Sequence, residues 1–295
     1  MHRLFHLTSV LVVAFVHAQD GPLSLRIHWE PGKTYKQETF TDTSVHPNGE
    51  LAGGNFMRVT QNTDMVVSKD RISTNSLVNV TITSVKGEVE ADGKILPFDS
   101  AKPGEANPAL QQMMGGSVGK TFTLVYDERD RFKDVRGLQS LATESGSLAS
   151  LSSLASSNDV AHLFRKSLEM GLPPVPVSVG DTWTADETMA FPQAGEVRVQ
   201  MHGKFDGYMN REGRKHAKIV FDGKFGSTAG RKDKPEALVE ITSDSTIAGI
   251  LLFDLERRVV SLGVYTSTIK LKTPEQTIPF EQKITSKLLS IEDTK

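Results

Sequence analysis

From Glu196 to Asp206 the chain reads EVRVQMHGKFD, apolar and polar in unbroken alternation. Val197, Val199, Met201, Gly203 and Phe205 share one face, and Arg198, Gln200, His202, Lys204 and Asp206 the other. A period of two cannot lay an apolar stripe along a helix, so the stretch is a half-buried antiparallel strand. A turn at Asn210–Gly213 leads into His216–Gly223, with Ala217, Ile219 and Phe221 on one face. Further strands are expected at Leu23–Trp29, Thr34–Thr43, Asn55–Val67, Arg71–Thr83, Gly119–Tyr126, Ala237–Ile247, Gly249–Leu255, Val259–Leu271 and Thr277–Leu289. Helix is scarce. Asn107–Met114 has a cap, a first-turn proline and a stop at Gly115. Asp159–Met170 has Asn158 as cap, an apolar stripe of Val160, Leu163, Phe164 and Leu168, and Gly171 then Pro173-Pro174 as its end.

A mostly β chain must find its stability without staples here, because it contains no cysteine. That also excludes thiolate metal sites, iron–sulfur clusters and cysteine nucleophiles. Met1-His2-Arg3, the apolar run Leu4–Val16 and Val16-His17-Ala18 read as a signal peptide of residues 1–18, cut after Ala18. The apolar run is short of the ~20 residues a membrane span needs, and no transmembrane segment is expected after cleavage. The product is expected to be exported, periplasmic or extracellular. Removing 18 of 295 residues leaves 277, a length that buries roughly 75 % of the unfolded surface. Without Arg3 the 34 basic residues become 33 against 36 acidic. That balance gives no support for nucleic acid or an anionic membrane as partner.

Two halves look alike. PGKTY (31–35) opens the first, and VGDTW (179–183) the second. LVYDERDRFKDV (124–135) is echoed by LLFDLERRVVSL (251–262), pairing Tyr126 with Phe253, Asp127 with Asp254, Arg131 with Arg258, Phe132 with Val259 and Val135 with Leu262. Between them lies a Ser/Ala/Leu-rich stretch. The chain thus divides into residues 1–18 (signal peptide), 19–137 (first β-rich half), 138–171 (connector and helix) and 172–295 (second β-rich half), read as an internal duplication.

Several motifs resemble active sites and fail on context. Gly119-Lys120-Thr121 ends like a phosphate loop, yet the glycine due at position 114 is Met114, and a strand rather than a helix follows. It reads as a strand-entry turn. Asp127, Glu128, Asp130 and Asp134 suggest calcium, but Arg129 and Arg131 interrupt the ligand positions and Phe132 stands where glycine is required. A hairpin turn with Asp130 left-handed is the better reading. Among His28, His46, His162, His202 and His216 no pair has close metal-ligand spacing. His202 and His216 lie on strands joined by one turn and are placed to face each other. No Gly-x-Ser-x-Gly elbow is present. Asn79-Val80-Thr81 fits a glycosylation sequon but lies in an expected strand. No catalytic, cofactor-binding or metal residue is assigned, no cofactor is expected, and the chain is not read as an enzyme.

What remains is the apolar side of the strands, which must be covered by helix, by sheet or by a ligand. The expected fold is α+β and mostly antiparallel β: two similar curved, half-barrel-like sheets with a short helical connector. WEPGKTYKQE, LPPVPVSVGDTW and the VYD and LFD hairpins before KDVRG and VVSLG resemble an uncharacterised exported bacterial domain-of-unknown-function family, DUF6263. The resemblance implies no catalytic residues and a likeness to the curved sheets of periplasmic lipoprotein carriers. The expected role is non-catalytic binding of a lipid or hydrophobic partner. Two alternatives stand: an envelope protein-interaction module without a small ligand, and a hydrolase whose site assembles from distant residues.

Overall fold

The structure is a computed structural model. It describes residues 21–45, 55–91, 93–105, 107–111, 118–137, 164–165, 167–191, 195–226 and 240–294. Residues 1–18, read as a signal peptide, His46, His162 and the stretch 138–158 lie outside these residues, as does half of the helix expected at 159–170. Helical residues are described at 164–165 and 167–169, and a short helix α1 at Pro108–Leu110. No described helix is long and apolar enough to cross a membrane.

Among the described residues, thirteen antiparallel strands form one sheet: β1 (Lys33–Val45), β2 (Asn55–Lys69), β3 (Ser76–Ala91), β4 (Lys94–Asp99), β5 (Thr121–Tyr126), β6 (Phe132–Arg136), β7 (Thr182–Phe191), β8 (Gly195–Arg211), β9 (Arg214–Phe225), β10 (Glu240–Ile241), β11 (Thr246–Asp254), β12 (Val259–Lys272) and β13 (Thr277–Asp293). Their order is β6-β5-β3-β2-β1-β13-β12-β11-β9-β8-β7, with β4 on β3 and β10 on β12. The expected pair of sheets is thereby corrected to a single one. The cause is β13, which pairs with β12 on one side and with β1 from Lys33↔Asp293 to Val45↔Phe280 on the other.

Local chemistry explains several strand ends. Glu212 and Gly213 have φ of 52° and 75°, the left-handed pair of a two-residue hairpin turn between Arg211 and Arg214. Arg71–Asn75 is a loop rather than the start of β3, because Asp70 accepts hydrogen bonds from Ile72 N (3.1 Å) and Ser73 Oγ (3.0 Å) and closes the turn. The strand expected at Ala237–Ile247 breaks after Ile241, where Ser245 N bonds Thr242 O at 3.0 Å. The run Leu23–Trp29 is extended but joins the sheet in no strand. Its one bridge is Leu23↔Val177.

The sheet curls. Between β5 and β12 stand β3, β2, β1 and β13, a separation of about 24 Å if flat. Yet the turns that follow β5 and precede β12 touch, with Arg258 Nη2 3.5 Å from Asp130 Oδ2. One core therefore gathers Val78, Leu124, Phe205, Ile219, Leu251 and Phe253 from across the sheet. Leu25, Ile27, Trp29 and Leu168 cover it. Trp29 sets its ring edge-on to Tyr35 at 5.1 Å and tilted to Tyr126 at 5.9 Å. A cross-strand row in the second part runs Trp183, Gly203, Phe221, Gly249, Tyr265 over β7, β8, β9, β11 and β12. Glycine between rings gives each ring room to lie on the neighbouring backbone. A Cβ at Gly203 would stand 2.2 Å from the Trp183 ring.

Candidate functional site

Asp127 shows what the conspicuous acidic cluster does. Its Oδ1 accepts the amides of Arg129 and Arg131, each at 2.9 Å, and Oδ2 takes Arg131 Nε at 2.8 Å. Asp130 stands at φ 57°, the left-handed position of the turn. The segment is a hairpin turn, and among the described residues no group of three or more His, Asp or Glu is arranged for a metal. The hydrogen bonds from Arg131 and Arg129 hold the Asp127 carboxyl at about 2, below its ordinary value of 3.8. A depressed value means a contribution present above pH ~4 and lost as pH falls towards 2. Acid unfolding should accordingly begin at higher pH in Asp127→Asn than in the wild type. Coincident acid-unfolding curves between pH 4 and 2 would show the turn to be inert.

The second hairpin repeats the device. Asp254 is fully buried, its Oδ1 accepting the amides of Glu256 (3.1 Å) and Arg257 (3.0 Å) and its Oδ2 Arg214 Nε at 2.8 Å. Its left-handed residue is Arg258 (φ 55°). The two turns thus match at their aspartates and differ by one residue in length.

His28 lies between the turns. Its amide donates to Arg258 O at 2.9 Å, and its Nδ1 lies 2.9 Å from Asp130 Oδ2. His202 and His216 do not face each other. His202 precedes Arg211 by nine residues and His216 follows Arg214 by two, so the register sets His202 opposite Asp222 and His216 opposite Met209. His216 is buried, its Nδ1 donating to Arg214 O at 3.0 Å and its Nε2 3.7 Å from Asp254. Gly119 has φ 78° and its amide bonds Ile82 O at 2.8 Å, leading into β5 as a strand-entry turn does. Asn79 lies in β3 and accepts a hydrogen bond from Thr123 Oγ1 at 2.7 Å.

The cleft with the character of a binding site opens between the sheet edges β6 and β7. It measures about 310 Å³ and combines apolar walls (Leu25, Ile27, Phe132, Leu172, Ala185) with Arg165, Glu169 and Glu187. That size, lining and convergence of polar groups mark ligand sites in general. The Arg165 guanidinium lies 4.5 Å from the centre of the Phe132 ring and 2.8 Å from Glu169 Oε2. Tyr126 Oη donates to Glu169 Oε1 at 3.1 Å. Burial pushes the Glu169 carboxyl up, Arg165 and Tyr126 pull it back, and Glu187 pushes it up further.

These residues escaped the sequence reading, though two signals were present. Arg165 and Glu169 are spaced i,i+4, the helical ion-pair interval. Glu187 interrupts an apolar alternation that runs through Trp183, Ala185 and Met189. Separated from both in sequence, Phe132 and Tyr126 carried no such mark.

The fold resembles that of lipovitellin, in a structure concerned with lipid–protein interactions, at TM-score 0.53 and 11 % identity. The likeness covers 91 % of this chain, which spans 26 % of that one. DynF from the dynemicin biosynthesis pathway of Micromonospora chersina (7 % identity, 96 % and 92 % of the two chains) and Pseudomonas aeruginosa OpdQ (8 %, 87 % and 97 %) align at TM-scores of 0.21 and 0.20, too low to signify a shared fold. No curated protein matches the sequence. A family model does match, over residues 73–257 and so over more than half of the 295 residues, and the chain belongs to that family of unknown function, DUF6263.

Proposed function

We propose that this is an exported, non-catalytic protein that binds an amphipathic lipid on the inner face of its curled sheet. The carrying observation is the composition of that face beyond the sealed core. The register places Val59, Thr41, Ile284 and Tyr265 in one row, and Phe280 with Ile269 and Ile278 with Leu271 below it. Ile269, Leu271 and Ile284 are half-buried at the margin of that core, and Val59 is half-buried against a second cluster of Ile82, Val85, Phe98 and Leu110. Interleaved with them are polar pairs, in which Gln37 Nε2 donates to Thr39 Oγ1, Gln61 Nε2 to Thr63 Oγ1 at 3.2 Å and Gln282 Nε2 to Thr43 Oγ1. Apolar rows beside hydrogen-bonding rows suit a molecule with a tail and a polar group. The lipovitellin likeness supports the reading through the fold alone. Glu169 favours a binding role over hydrolysis, since Tyr126 and Arg165 engage both of its oxygens.

Export rests on the signal peptide read at residues 1–18, with a periplasmic or extracellular product. The division at 19–137, 138–171 and 172–295 fits a duplication. The order β6-β5-β3-β2-β1 has the counterpart β12-β11-β9-β8-β7. Gly32 and Gly180, which open β1 and β7, have φ of 83° and 93°.

Native mass spectrometry of protein extracted without detergent should show a lipid adduct, reduced at least tenfold in the double variant Val59→Lys, Ile284→Lys with its circular dichroism unchanged. Protein that carries no lipid and takes none from phosphatidylglycerol vesicles would overturn the reading.

A further inference from the structure

We propose that residues 23–29 form a displaceable strap: an internal occupant of the lipid path that a single acyl chain replaces. This rests on the lipid-binding reading above and assigns the tail its place. The strap is a partition. Leu25 and Ile27 form a wall of the open cleft between β6 and β7, while Ile27 and Trp29 wall a narrower cavity of about 30 Å³ among Tyr35, Met65, Leu168 and Tyr265. Moving the strap joins the two spaces into one passage. Its own pattern copies a tail: Leu23, Leu25, Ile27 and Trp29 point the same way along an extended run of about 20 Å. One leaflet of a bilayer, half of a ~30 Å hydrocarbon core, is of similar length.

The attachment is of a separable kind. Every strand of the sheet is held by a ladder, whereas the strap, among the described residues, makes backbone–backbone bonds only at Leu23 and His28 and is otherwise held by the packing of Leu25, Ile27 and Trp29 and by side-chain contacts. Leu23 exchanges two backbone bonds with Val177 (2.8 and 2.9 Å), and the His28 amide bonds Arg258 O at 2.9 Å. His28 Nδ1 also meets Asp130 Oδ2 at 2.9 Å, a part-exposed contact, and Arg26 Nη1 reaches Arg129 O at 3.2 Å. The strap therefore leans on the two hairpin turns through side chains and one amide. The guanidinium groups of Arg26 and Arg258 at that end suit the carboxylate of a fatty acid.

The test uses the absence of native cysteine. Leu23 and Val177 form a hydrogen-bonded antiparallel pair, whose Cα atoms stand about 5.5 Å apart, within the span a disulfide accepts. The double variant Leu23→Cys, Val177→Cys is titrated with 11-dansylaminoundecanoate, a fluorescent fatty acid, oxidised and reduced. Reduced protein should bind at least tenfold more tightly than oxidised, and reductant should restore binding. Equal affinity in both forms would overturn the strap while leaving lipid binding intact. Binding by neither form would overturn the lipid reading. Amide exchange of the wild type then decides the strap by itself. His28 should open at least a hundredfold more often than Lys36 in β1, and equal protection would refute the proposal.

Discussion

Asp254→Ala should destabilise the protein by about 3–5 kcal/mol, the loss expected when one partner of a buried ion pair is removed. Asp254 is inaccessible to solvent, while the Arg214 side chain is 22 % exposed. The arginine left behind retains some water, which sets its own penalty towards the lower end. The two amides that Asp254 caps add to the loss, because Glu256 and Arg257 would then present unpaired donors in the turn. Asp254→Asn, keeping an oxygen for those amides, should lose less. Urea unfolding should show a lower midpoint at unchanged slope. A loss below 1 kcal/mol for Asp254→Ala would mean that the turn re-forms around water.

Gly249→Ala should cost about 3 kcal/mol, the upper end of the usual overpacking range. A Cβ there would meet Tyr265 Cβ at 2.6 Å, Phe221 Cζ at 2.7 Å and the Val264 carbonyl oxygen at 2.7 Å. Neither a ring on each side nor a backbone oxygen can swing away as a flexible side-chain end can. Gly263 provides the contrast, since its Cβ would meet Leu251 Cδ2 alone, at 3.2 Å. Gly263→Ala should therefore lose less than 1 kcal/mol, as a Leu methyl yields by small rotations. Thermal unfolding of the two variants side by side tests the pair. Equal shifts would show that the alternation of ring and glycine does not govern packing in β9, β11 and β12.

Strand positions were legible because alternation is a local property. Glu196–Asp206 lies wholly within β8, and Val259–Leu271 within β12. Leu23–Trp29 shows where this fails, since the same alternation describes an extended segment buried against a sheet as well as a strand within it. Joining the halves into one sheet was not legible. It depends on β13 accepting β1 as a second neighbour, and pairing partners far apart in sequence leave no local pattern. The turn at Asp127–Arg131 could be read from residue types, because an aspartate cap and a left-handed Asp are one-residue preferences. The cleft at Glu169 could not. Its members come from 126, 132, 165, 169 and 187, and only the curl brings the edges β6 and β7 near enough to share it.

The pairing of β1 with β13 also orders events in time. Lys33 and Asp293 are 260 residues apart, and closing so long a loop costs roughly 5 kcal/mol of chain entropy. Contacts of that separation are the slow ones in folding. The hairpins β2–β3, β8–β9 and β11–β12 need only short loops and can form while the chain is still emerging. The central seam cannot, because β13 emerges only after all the other described strands. A molecule built this way has no finished sheet until β13 has emerged, and its two middle edges stay open until then.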